Sequence, residues 1–378
     1  MKVYIEFVNR ELPGDIPEGN YMRNHEITAP QKLLDSKGNI AEPGWARRQF
    51  WQYSRKDIKA PASRIKEWDY YIVIHDGKYD GTESFAAAFT ISDDGYVGLQ
   101  SVSLIHLDED DPHEHTETVL NVMPMGKLHL PETSSEGTVN YVDRRLKMMF
   151  RKTPGKRKII CDFDRFCDGK ALFASITLEE PEMDTMVIAT PWAERGRFYY
   201  NQKINCMRAS GVVVFGGNVY RFDPEHDFGT LDWGRGVWTY DNTWYWGNGN
   251  TTAGGHTVGF NIGYGFGDTS ASSENILIVD GTAHKLDDVD FGIPDDPDPK
   301  EMDGPDYMAP WKMTSSDGRF EMTFTPVLDR AAKLDFKAIV SDQHQVFGRM
   351  SGKAVLDSGE QIEFTDVLCF AEKVHNKY

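Results

Sequence analysis

Cysteine is scarce in this chain of 378 residues, which contains four: Cys161, Cys167, Cys206 and Cys369. None of them has the CxxC spacing of a zinc cluster, and four scattered thiols do not indicate a disulfide framework. We therefore expect buried thiols that act as small hydrophobic side chains.

The motifs of common cofactor-dependent and hydrolytic enzymes are missing as well. The chain has no GxGxxG opening a βαβ unit, no GxxxxGK[ST] loop, no HExxH and no GxSxG. The glycine-rich residues 263–268 (GYGFGD) lie among predicted strands, so we do not expect them to cradle a phosphate. These absences disfavour nucleotide enzymes, zincins and serine hydrolases. We expect no cofactor, which leaves cofactor-free acid–base chemistry or plain binding.

Positive charge is in short supply, with 41 Lys and Arg against 59 Asp and Glu and a formal net charge of -18. An acidic protein offers no counter-charge to nucleic acid or to an anionic membrane surface. Residues 1–15 lack the apolar run of a secretory signal, and no stretch approaches the length of a membrane-spanning helix. We therefore expect a cytoplasmic protein without a nucleic-acid partner or a stable membrane anchor. The oligomeric state stays open.

Helical periodicity is limited to two short segments, residues 143–151 and 190–197, each of which could hold a short helix. Elsewhere, runs rich in Val, Ile, Tyr, Phe and Thr recur between Gly, Asp, Asn and Pro turns. Hairpin turns are predicted at residues 93–95, 168–169 and 358–359. Many short strands at regular spacing predict an all-β protein whose sheets close into barrels or pack together to hide their edges.

The acidic, proline-containing residues 179–184 are predicted to connect two β-domains of similar texture. The N-terminal domain would span residues 1–185. The C-terminal domain would span residues 186–378 and would carry the most informative stretch of the chain, residues 231–250.

Residues 231–250 contain four of the nine Trp of the chain, together with one acid–base couple, Asp232 and Arg235. Apolar walls with a few polar groups are typical of a ligand pocket. A carboxyl among aromatic rings has its pKa raised and can transfer protons, whereas a neighbouring Arg opposes that rise. The alternative is a buried ion pair that fixes two strands. The candidate ligand-binding side chains are Trp233, Trp238, Tyr240, Trp244 and Trp246.

Four groups outside that stretch are further candidates. Asp342 and His344 share one face of a strand, so the carboxylate could orient the imidazole for proton transfer; the alternative is a solvated strand face. Glu372 and His375 are three residues apart and would point to opposite faces of an extended strand, unless it ends or bulges. The remaining candidate ligand-binding residues are Asn261, beside a glycine-rich bend, and Glu274, at the start of a strand.

Two acidic segments are the remaining candidates for a functional role. Residues 106–117 hold three His among six acidic residues, a composition that could bind a divalent metal. We favour an exposed loop and predict no metal there. Residues 287–308, rich in Pro, Gly and Asp, could form a lid or binding loop, but we favour a solvated surface loop.

Several blocks of the sequence resemble the signature blocks of the bacterial family called domain of unknown function 2804, over about residues 27–378. They are residues 64–71 (RIKEWDYY), 231–238 (LDWGRGVW), 259–275 (GFNIGYGFGDTSASSEN), 284–294 (HKLDDVDFGIP), 341–352 (SDQHQVFGRMSG) and 370–378 (FAEKVHNKY). More distantly, the chain resembles the calycin-like AttH and carotenoid 1,2-hydratase group. That resemblance implies two lipocalin-like β-barrels, a pocket in or between them, and cofactor-free chemistry on apolar, often terpenoid, substrates.

The functional hypothesis is a cofactor-independent lyase, hydratase or isomerase that acts on a hydrophobic, terpenoid- or lipid-like small molecule in a β-barrel pocket. Asp232 would donate or accept the proton, and Arg235 would set its charge state or anchor an oxygen of the substrate. His344, oriented by Asp342, is the second acid–base candidate. The alternative is a non-catalytic cytoplasmic carrier of a lipid, terpenoid or sugar.

Overall fold

The computed structural model of the protein describes residues 23–335 and 340–378. Strands dominate these residues, and the helical segments in them are three single 3-10 turns, Arg55–Asp57, Ala62–Arg64 and Gly77–Tyr79. The all-β prediction is confirmed. Residues 1–15, in which no signal peptide was recognised, lie outside the described part of the chain. Among the residues that are described, no helix is long and apolar enough to cross a membrane.

The strands of the first half are β1 (Gln31–Lys32), β2 (Gly44–Ala46), β3 (Trp51–Gln52), β4 (Lys66–His75), β5 (Phe85–Asp93), β6 (Val97–His106), β7 (His113–Val122), β8 (Gly137–Val142), β9 (Leu146–Thr153), β10 (Lys156–Cys167), β11 (Lys170–Glu179) and β12 (Met186–Pro191). Those that follow are β13 (Phe198–Phe215), β14 (Asn218–Phe222), β15 (Phe228–Val237), β16 (Asp241–Ala253), β17 (His256–Tyr264), β18 (Ile276–Val279), β19 (Thr282–Lys285), β20 (Val289–Asp290), β21 (Trp311–Ser315), β22 (Phe320–Asp335), β23 (Val340–Val355) and β24 (Gln361–Lys377).

Two large antiparallel sheets organise these strands. The first has the order β7-β6-β5-β4-β15-β13-β11-β10-β9-β8, with β12, β14 and β2 attached at β13 and β12. The second has the order β19-β18-β17-β16-β24-β23-β22-β21-β20, and β1 with β3 forms a small parallel pair. The chain leaves the first sheet at Val237, the end of β15, and enters the second at Asp241, the start of β16. The predicted division at residue 185 does not coincide with it, because residues 179–184 join β11 to β12 inside the first sheet.

Local turn chemistry sets the hairpins as predicted. The turns at 93–95, 168–169 and 358–359 connect β5 to β6, β10 to β11 and β23 to β24. Asp168 and Gly169 both have positive φ, 53° and 73°, which matches the twist of the flanking strands in a two-residue hairpin.

Both predicted short helices are wrong. Residues 143–151 form a turn followed by β9, in which Leu146, Met148 and Phe150 are buried at every second position. That period of two fits a strand that buries one face. Residues 190–197 comprise the end of β12 and the turn before β13.

Each sheet curls around a core of its own. Large buried side chains fill the first core, among them Phe89, Phe163, Tyr200 and Trp233. The second core is built in the same way, from residues such as Phe260, Phe291, Trp311, Phe320 and Phe364. Side chains pack the inside of both sheets, and the cavity described below lies between the two sheets, one of the two places that the resemblance implies.

Residues 287–308 are not a solvated surface loop, which corrects the prediction. They include β20, and Phe291, Met302 and Tyr307 are buried. Asp296 anchors the segment to the second sheet, since its Oδ1 accepts a hydrogen bond from the buried Lys373 at 2.7 Å. The four cysteines behave as expected in being free thiols, three of them buried and Cys167 half-buried.

Candidate functional site

A cavity of about 550 Å³ lies between the outer faces of the two sheets. Strands β4, β5, β6, β7, β13 and β15 supply one side of its lining, and β16, β22, β23 and β24 supply the other. Part of its wall is aromatic and consists of Trp68, Tyr70, Tyr199, Trp238, Trp244, Trp246, Phe266 and Tyr378; the rest is largely polar.

The aromatic wall is an interlocked cluster. Phe266 is at its centre, with edge-to-face contacts at ring-centroid distances of 4.8 Å to Tyr199, 5.0 Å to Trp238 and 5.3 Å to Trp244. Trp68 packs edge-on against Trp238 at 5.3 Å. Aromatic pairs favour these geometries, which hold the rings rigidly around the cavity.

Strand alternation divides the candidate aromatic residues. Trp244 and Trp246 are two positions apart on β16, so both line the cavity, as does Trp238 just before that strand. Trp233 points to the opposite face of β15, into the first core. Tyr240 lies in the turn before β16 and is 48% exposed. Three of the five candidate aromatics therefore line the cavity.

Asp232 and Arg235 do not form a pair, and the predicted interaction between them is wrong. They are three positions apart on one strand, so their side chains leave opposite faces of the sheet. Arg235 is 0% exposed and donates to Asp69 Oδ1 at 3.1 Å. It also donates to the backbone carbonyls of Trp68 and Pro131, at 2.7 and 2.9 Å. Arg235 therefore fixes the wall from behind and does not enter the cavity.

The partner of Asp232 is Lys203, which lies directly opposite it on the neighbouring strand β13. Lys203 Nζ is 2.9 Å from Asp232 Oδ1, and Asn201 Nδ2 donates to the same oxygen at 2.6 Å. Lys203 Nζ also sits 4.0 Å from the ring centroid of Trp246, a cation–π contact. The cavity thus contains a desolvated ion pair against an indole face.

Two buried glutamates line the same cavity, Glu274 and Glu372. Burial raises the pKa of both carboxyls, and the charge of Lys203 opposes that rise in each case. Asp232 is already paired with Lys203, so three carboxyls depend in part on the charge of that one ammonium, and Lys285 also opposes the rise at Glu274. Desolvation makes simultaneous ionisation of all three costly.

The hydrogen bonds of the two glutamates differ. Glu372 accepts from Trp244 Nε1 and Gln345 Nε2, both at 2.9 Å. The side chain of Glu274 accepts one long bond, from Asn261 Nδ2 at 3.4 Å. Hydrogen bonds donated to a carboxylate stabilise its charged form, and Glu372 receives two short ones whereas Glu274 receives one long one.

Asn261 positions groups of the site from behind the cavity wall. Its Oδ1 accepts a hydrogen bond from Trp246 Nε1 at 2.7 Å, and its amide also donates to the backbone carbonyl of Glu274 at 3.0 Å. Asn261 therefore joins an aromatic wall residue to a carboxyl of the cavity.

A polar chain leads from Glu372 toward Glu114. Gln345 donates to Glu372 and accepts from Arg330, whose Nε donates to Glu114 Oε2 at 2.7 Å. All four side chains line the cavity. Arg330 supplies donors that can bind an oxygen of a ligand.

The remaining candidates lie elsewhere. His344 Nδ1 is hydrogen-bonded to Asp329 Oδ2 at 2.7 Å, and its ring stacks on Tyr307 at 3.8 Å. Asp342, the predicted partner of His344, instead pairs with Lys333 at 2.8 Å. Gln343 and Gln345 on β23 line the cavity. Asp342 and His344 alternate with them along that strand, so their side chains face away from the cavity.

Glu372 and His375 point apart, as their spacing on an extended strand predicts. Glu372 lines the cavity, whereas His375 Nε2 is hydrogen-bonded to Asp241 Oδ1 at 3.0 Å. No bulge brings them together, because β24 continues in register with β16 through both positions.

Lys203 was missed by the sequence reasoning. The signal for it is the alternation in β13, where Tyr199, Asn201 and Lys203 occupy one face and Tyr200, Gln202 and Ile204 the other. That pattern is visible in the sequence, but the contact between Lys203 and Asp232 depends on the register between β13 and β15, which the sequence does not show.

Lys66 was also missed, and it gives a testable stability prediction. Its Nζ has no hydrogen-bond partner within the described residues and lies 3.8 Å from the ring centroid of Tyr378, with the residue 2% exposed. Burial lowers the pKa of Lys66 to about 8, although the charge of Asp94 opposes this. The folded state therefore binds the proton less tightly than the unfolded state, and stability rises as pH increases from about 8 to 10.5.

We expect Lys66→Met to raise the free energy of unfolding at pH 7 by roughly 1–3 kcal/mol, because it removes a desolvated ammonium. The gain should shrink between pH 8 and 10.5, where the unfolded chain still binds the proton that the folded protein has lost. Urea unfolding at a series of pH values measures this. A loss of stability at pH 7, or a difference independent of pH, would contradict the prediction.

Gly234 makes room for Trp68 in the cavity wall. A Cβ at position 234 would lie 1.9 Å from Cζ2 of that indole. We expect Gly234→Ala to displace the ring and to lower the free energy of unfolding by roughly 1–3 kcal/mol, as overpacking does. Gly304→Ala is the matched control, because the nearest atom to its Cβ belongs to the flexible side chain of Glu301. Equal denaturation midpoints for both variants would refute this role of Gly234.

Two curled antiparallel sheets, with a cavity between them that aromatic and carboxyl side chains line, define an all-β protein with a site of small-molecule size. The chain belongs to the family described as domain of unknown function DUF2804, whose model matches residues 24–378. The resemblance found in the sequence is confirmed. No curated protein gives a significant match.

Solved structures with a similar fold share little sequence with this chain. CghA with Sch210972 is 12% identical, with a TM-score of 0.50 over 92% of this chain and 96% of that one. A putative AttH from Nitrosomonas europaea is 11% identical, with a TM-score of 0.46 over 85% and 95%. Kievitone hydratase from Nectria haematococca is 10% identical, with a TM-score of 0.46 over 93% and 98%. At such identities the likeness concerns the fold.

Proposed function

We propose that the protein is a cofactor-independent hydratase, lyase or isomerase that moves protons on a hydrophobic small molecule bound between its two sheets. The observation that supports this most is the sharing of Lys203 by three carboxyls, Asp232, Glu274 and Glu372, on the wall of an aromatic cavity. Titratable groups with differently perturbed environments in a cleft are typical of acid–base sites.

Glu274 is the proton donor in this proposal. Its carboxyl is buried, its pKa is raised by burial, and it accepts one long hydrogen bond. Glu372, held by Trp244 and Gln345, is the proton acceptor. Asp232 and Lys203 form the fixed ion pair that sets the potential around both glutamates. Asp232 therefore has a positioning role, in place of the direct proton transfer expected from the sequence.

In a hydration, the Glu274 proton would pass to one carbon of a double bond as water adds to the other. The added water would lose a proton to Glu372, and exchange with solvent would then restore both carboxyls. In an isomerisation, Glu372 would take a proton from a substrate carbon while Glu274 delivers one elsewhere. Both sequences balance without an oxidant or a cofactor.

The cavity also indicates the class of substrate. Its volume of about 550 Å³ suits one small molecule, and eight aromatic side chains form one part of its wall. Indole faces stabilise positive charge developing on a carbon skeleton, which supports a terpenoid-like or other unsaturated apolar substrate. Arg330 and Gln345 would bind an oxygen on it. The net charge of -18 supports a cytoplasmic small-molecule role without nucleic acid.

Incubation of the protein with an apolar metabolite extract, followed by mass spectrometry, tests the proposal. We expect a metabolite to be replaced by a product that differs by one water, or by an isomer with a different retention time. The Glu274→Gln protein should retain the metabolite unchanged. If the wild-type protein binds a metabolite and releases it unaltered, the protein is a carrier and the catalytic proposal is wrong.

A further inference from the structure

Three histidines lie side by side on the β6–β7 hairpin, on the face opposite the cavity. His106 ends β6, His113 begins β7 directly across from it, and His115 follows two positions later on the same face. Cross-strand partners and residues at i and i+2 project to one side of a sheet. The intervening Glu114 and Thr116 line the cavity on the other side. Residues 106 and 113–117 are therefore strand, and the exposed loop that the sequence suggested is confined to residues 107–112.

The imidazoles form a compact cluster. One nitrogen of each ring lies within 4.8 Å of one nitrogen of each of the others. The rings of His106 and His113 stack at a centroid distance of 4.1 Å, and His115 stands edge-on to both, at 5.5 and 5.4 Å. Imidazole is a preferred ligand of late first-row divalent metals.

His106 has one nitrogen without a partner. The residue is 5% exposed, and its Nε2 is buried with no hydrogen bond to the described residues. Its Nδ1 is hydrogen-bonded to the carboxylate of Glu83. Since a carboxylate accepts, Nδ1 carries the proton and Nε2 keeps a lone pair. A buried acceptor without a donor is costly, and a metal ion would satisfy it.

His113 is prepared in the same way. Its Nδ1 lies 2.8 Å from the backbone carbonyl oxygen of Asp111, which can only accept, so Nε2 is again the atom with the free lone pair. A carboxylate or a carbonyl on the far nitrogen of a histidine is the usual arrangement behind metal-bound imidazole. Both histidines thus have the partners that fix a ligating tautomer.

We propose that His106, His113 and His115 bind a late first-row divalent metal such as Zn²⁺ through three imidazole nitrogens. In a tetrahedral Zn²⁺ site the ligand nitrogens are about 3.3 Å apart, given Zn–N distances of 2.0–2.1 Å. Binding would draw the rings together, and the stack of His106 on His113 would open by rotation about the Cβ–Cγ bonds. Three protein ligands leave the fourth position to water or to an exchangeable ligand.

Untagged protein, stripped of metal with a chelator, tests the proposal. We expect one Zn²⁺ per chain after gel filtration, and a Co²⁺ complex with the visible absorption of a tetrahedral site. His113→Gln and His115→Gln should each weaken Zn²⁺ binding at least tenfold, and Glu83→Gln should weaken it about 10- to 100-fold. His129→Asn, which removes an exposed imidazole elsewhere, should bind as the wild type does.

Two results would overturn the site. One is substoichiometric Zn²⁺ with no tetrahedral Co²⁺ spectrum in the wild-type protein, a measurement that needs no variant to fold. The other is Zn²⁺ affinity unchanged in folded His113→Gln and His115→Gln proteins. Because the cluster and the cavity lie on opposite faces of the hairpin, either result leaves the proposed acid–base function standing.

Discussion

Glu274→Gln is expected to lower kcat/KM by about 100- to 10,000-fold, the range that a general acid contributes. Glutamine keeps the shape and one hydrogen-bonding oxygen of the side chain but cannot give up a proton. Ligand affinity should change little, because the aromatic wall is untouched. The wild-type rate should fall as pH rises through the Glu274 pKa, which burial places above its ordinary value, and this limb should be absent from the variant.

The same substitution should stabilise the fold. A carboxyl whose folded pKa is raised stabilises the protein below its unfolded pKa and loses that contribution as pH rises through the folded pKa. At pH 7 Glu274→Gln therefore removes a penalty, so the variant should have a higher free energy of unfolding together with lower activity. Glu363→Gln, an exposed carboxyl of β24, is the matched control and should change neither. Activity of Glu274→Gln equal to that of the control would refute the assignment.

Lys203→Met should lower the free energy of unfolding by about 3–5 kcal/mol, the usual cost of removing one partner of a buried ion pair. Asp232 would be left with its charge supported by Asn201 alone among the contacts that hold it now. Lys203 is 3% exposed at its side chain, so the ion pair that its removal breaks is a buried one. Chemical denaturation measures the change.

The double variant Lys203→Met/Asp232→Asn separates the loss of the pair from the loss of packing. We expect it to recover a large part of the stability, since Asp232 is then no longer a buried charge without its cation. Lys147→Met is the surface control; its 3.9 Å contact to Asp162 is exposed, so its removal should change stability by less than about 1 kcal/mol. A double variant no more stable than Lys203→Met would show that the ion pair is not the source of the effect.

Much of the fold could be predicted because the evidence for it is local. Period-two runs give strands, and turns such as Asp168–Gly169 give hairpins without reference to distant residues. The boundary between the sheets could not be placed in this way. It depends on β4 pairing with β15, a contact between Trp68 and Gly234 far apart in the chain, and no local pattern specifies that register.

The site was predicted in part for the same reason. The cluster of Trp residues around Asp232 can be recognised in the sequence, and Trp238, Trp244 and Trp246 do line the cavity. The sequence pairs Asp232 with Arg235 because the two residues are close in the chain. In the structure its partner is Lys203, which is close only in space. Alternation along β15 already separates Asp232 from Arg235, whereas its pairing with Lys203 follows from strand register.

Proton transfer by this cavity requires that burial raise the pKa of its carboxyls, and NMR titration of ¹³C-labelled glutamate measures that directly. Signals from Glu274 and Glu372 are assigned by their loss in Glu274→Gln and Glu372→Gln. We predict that both titrate above the ordinary glutamate value of 4.5, with Glu274 the higher of the two. Titration of both carboxyls at or below 4.5 would show that the cavity does not raise their pKa and would refute the proposed proton transfer.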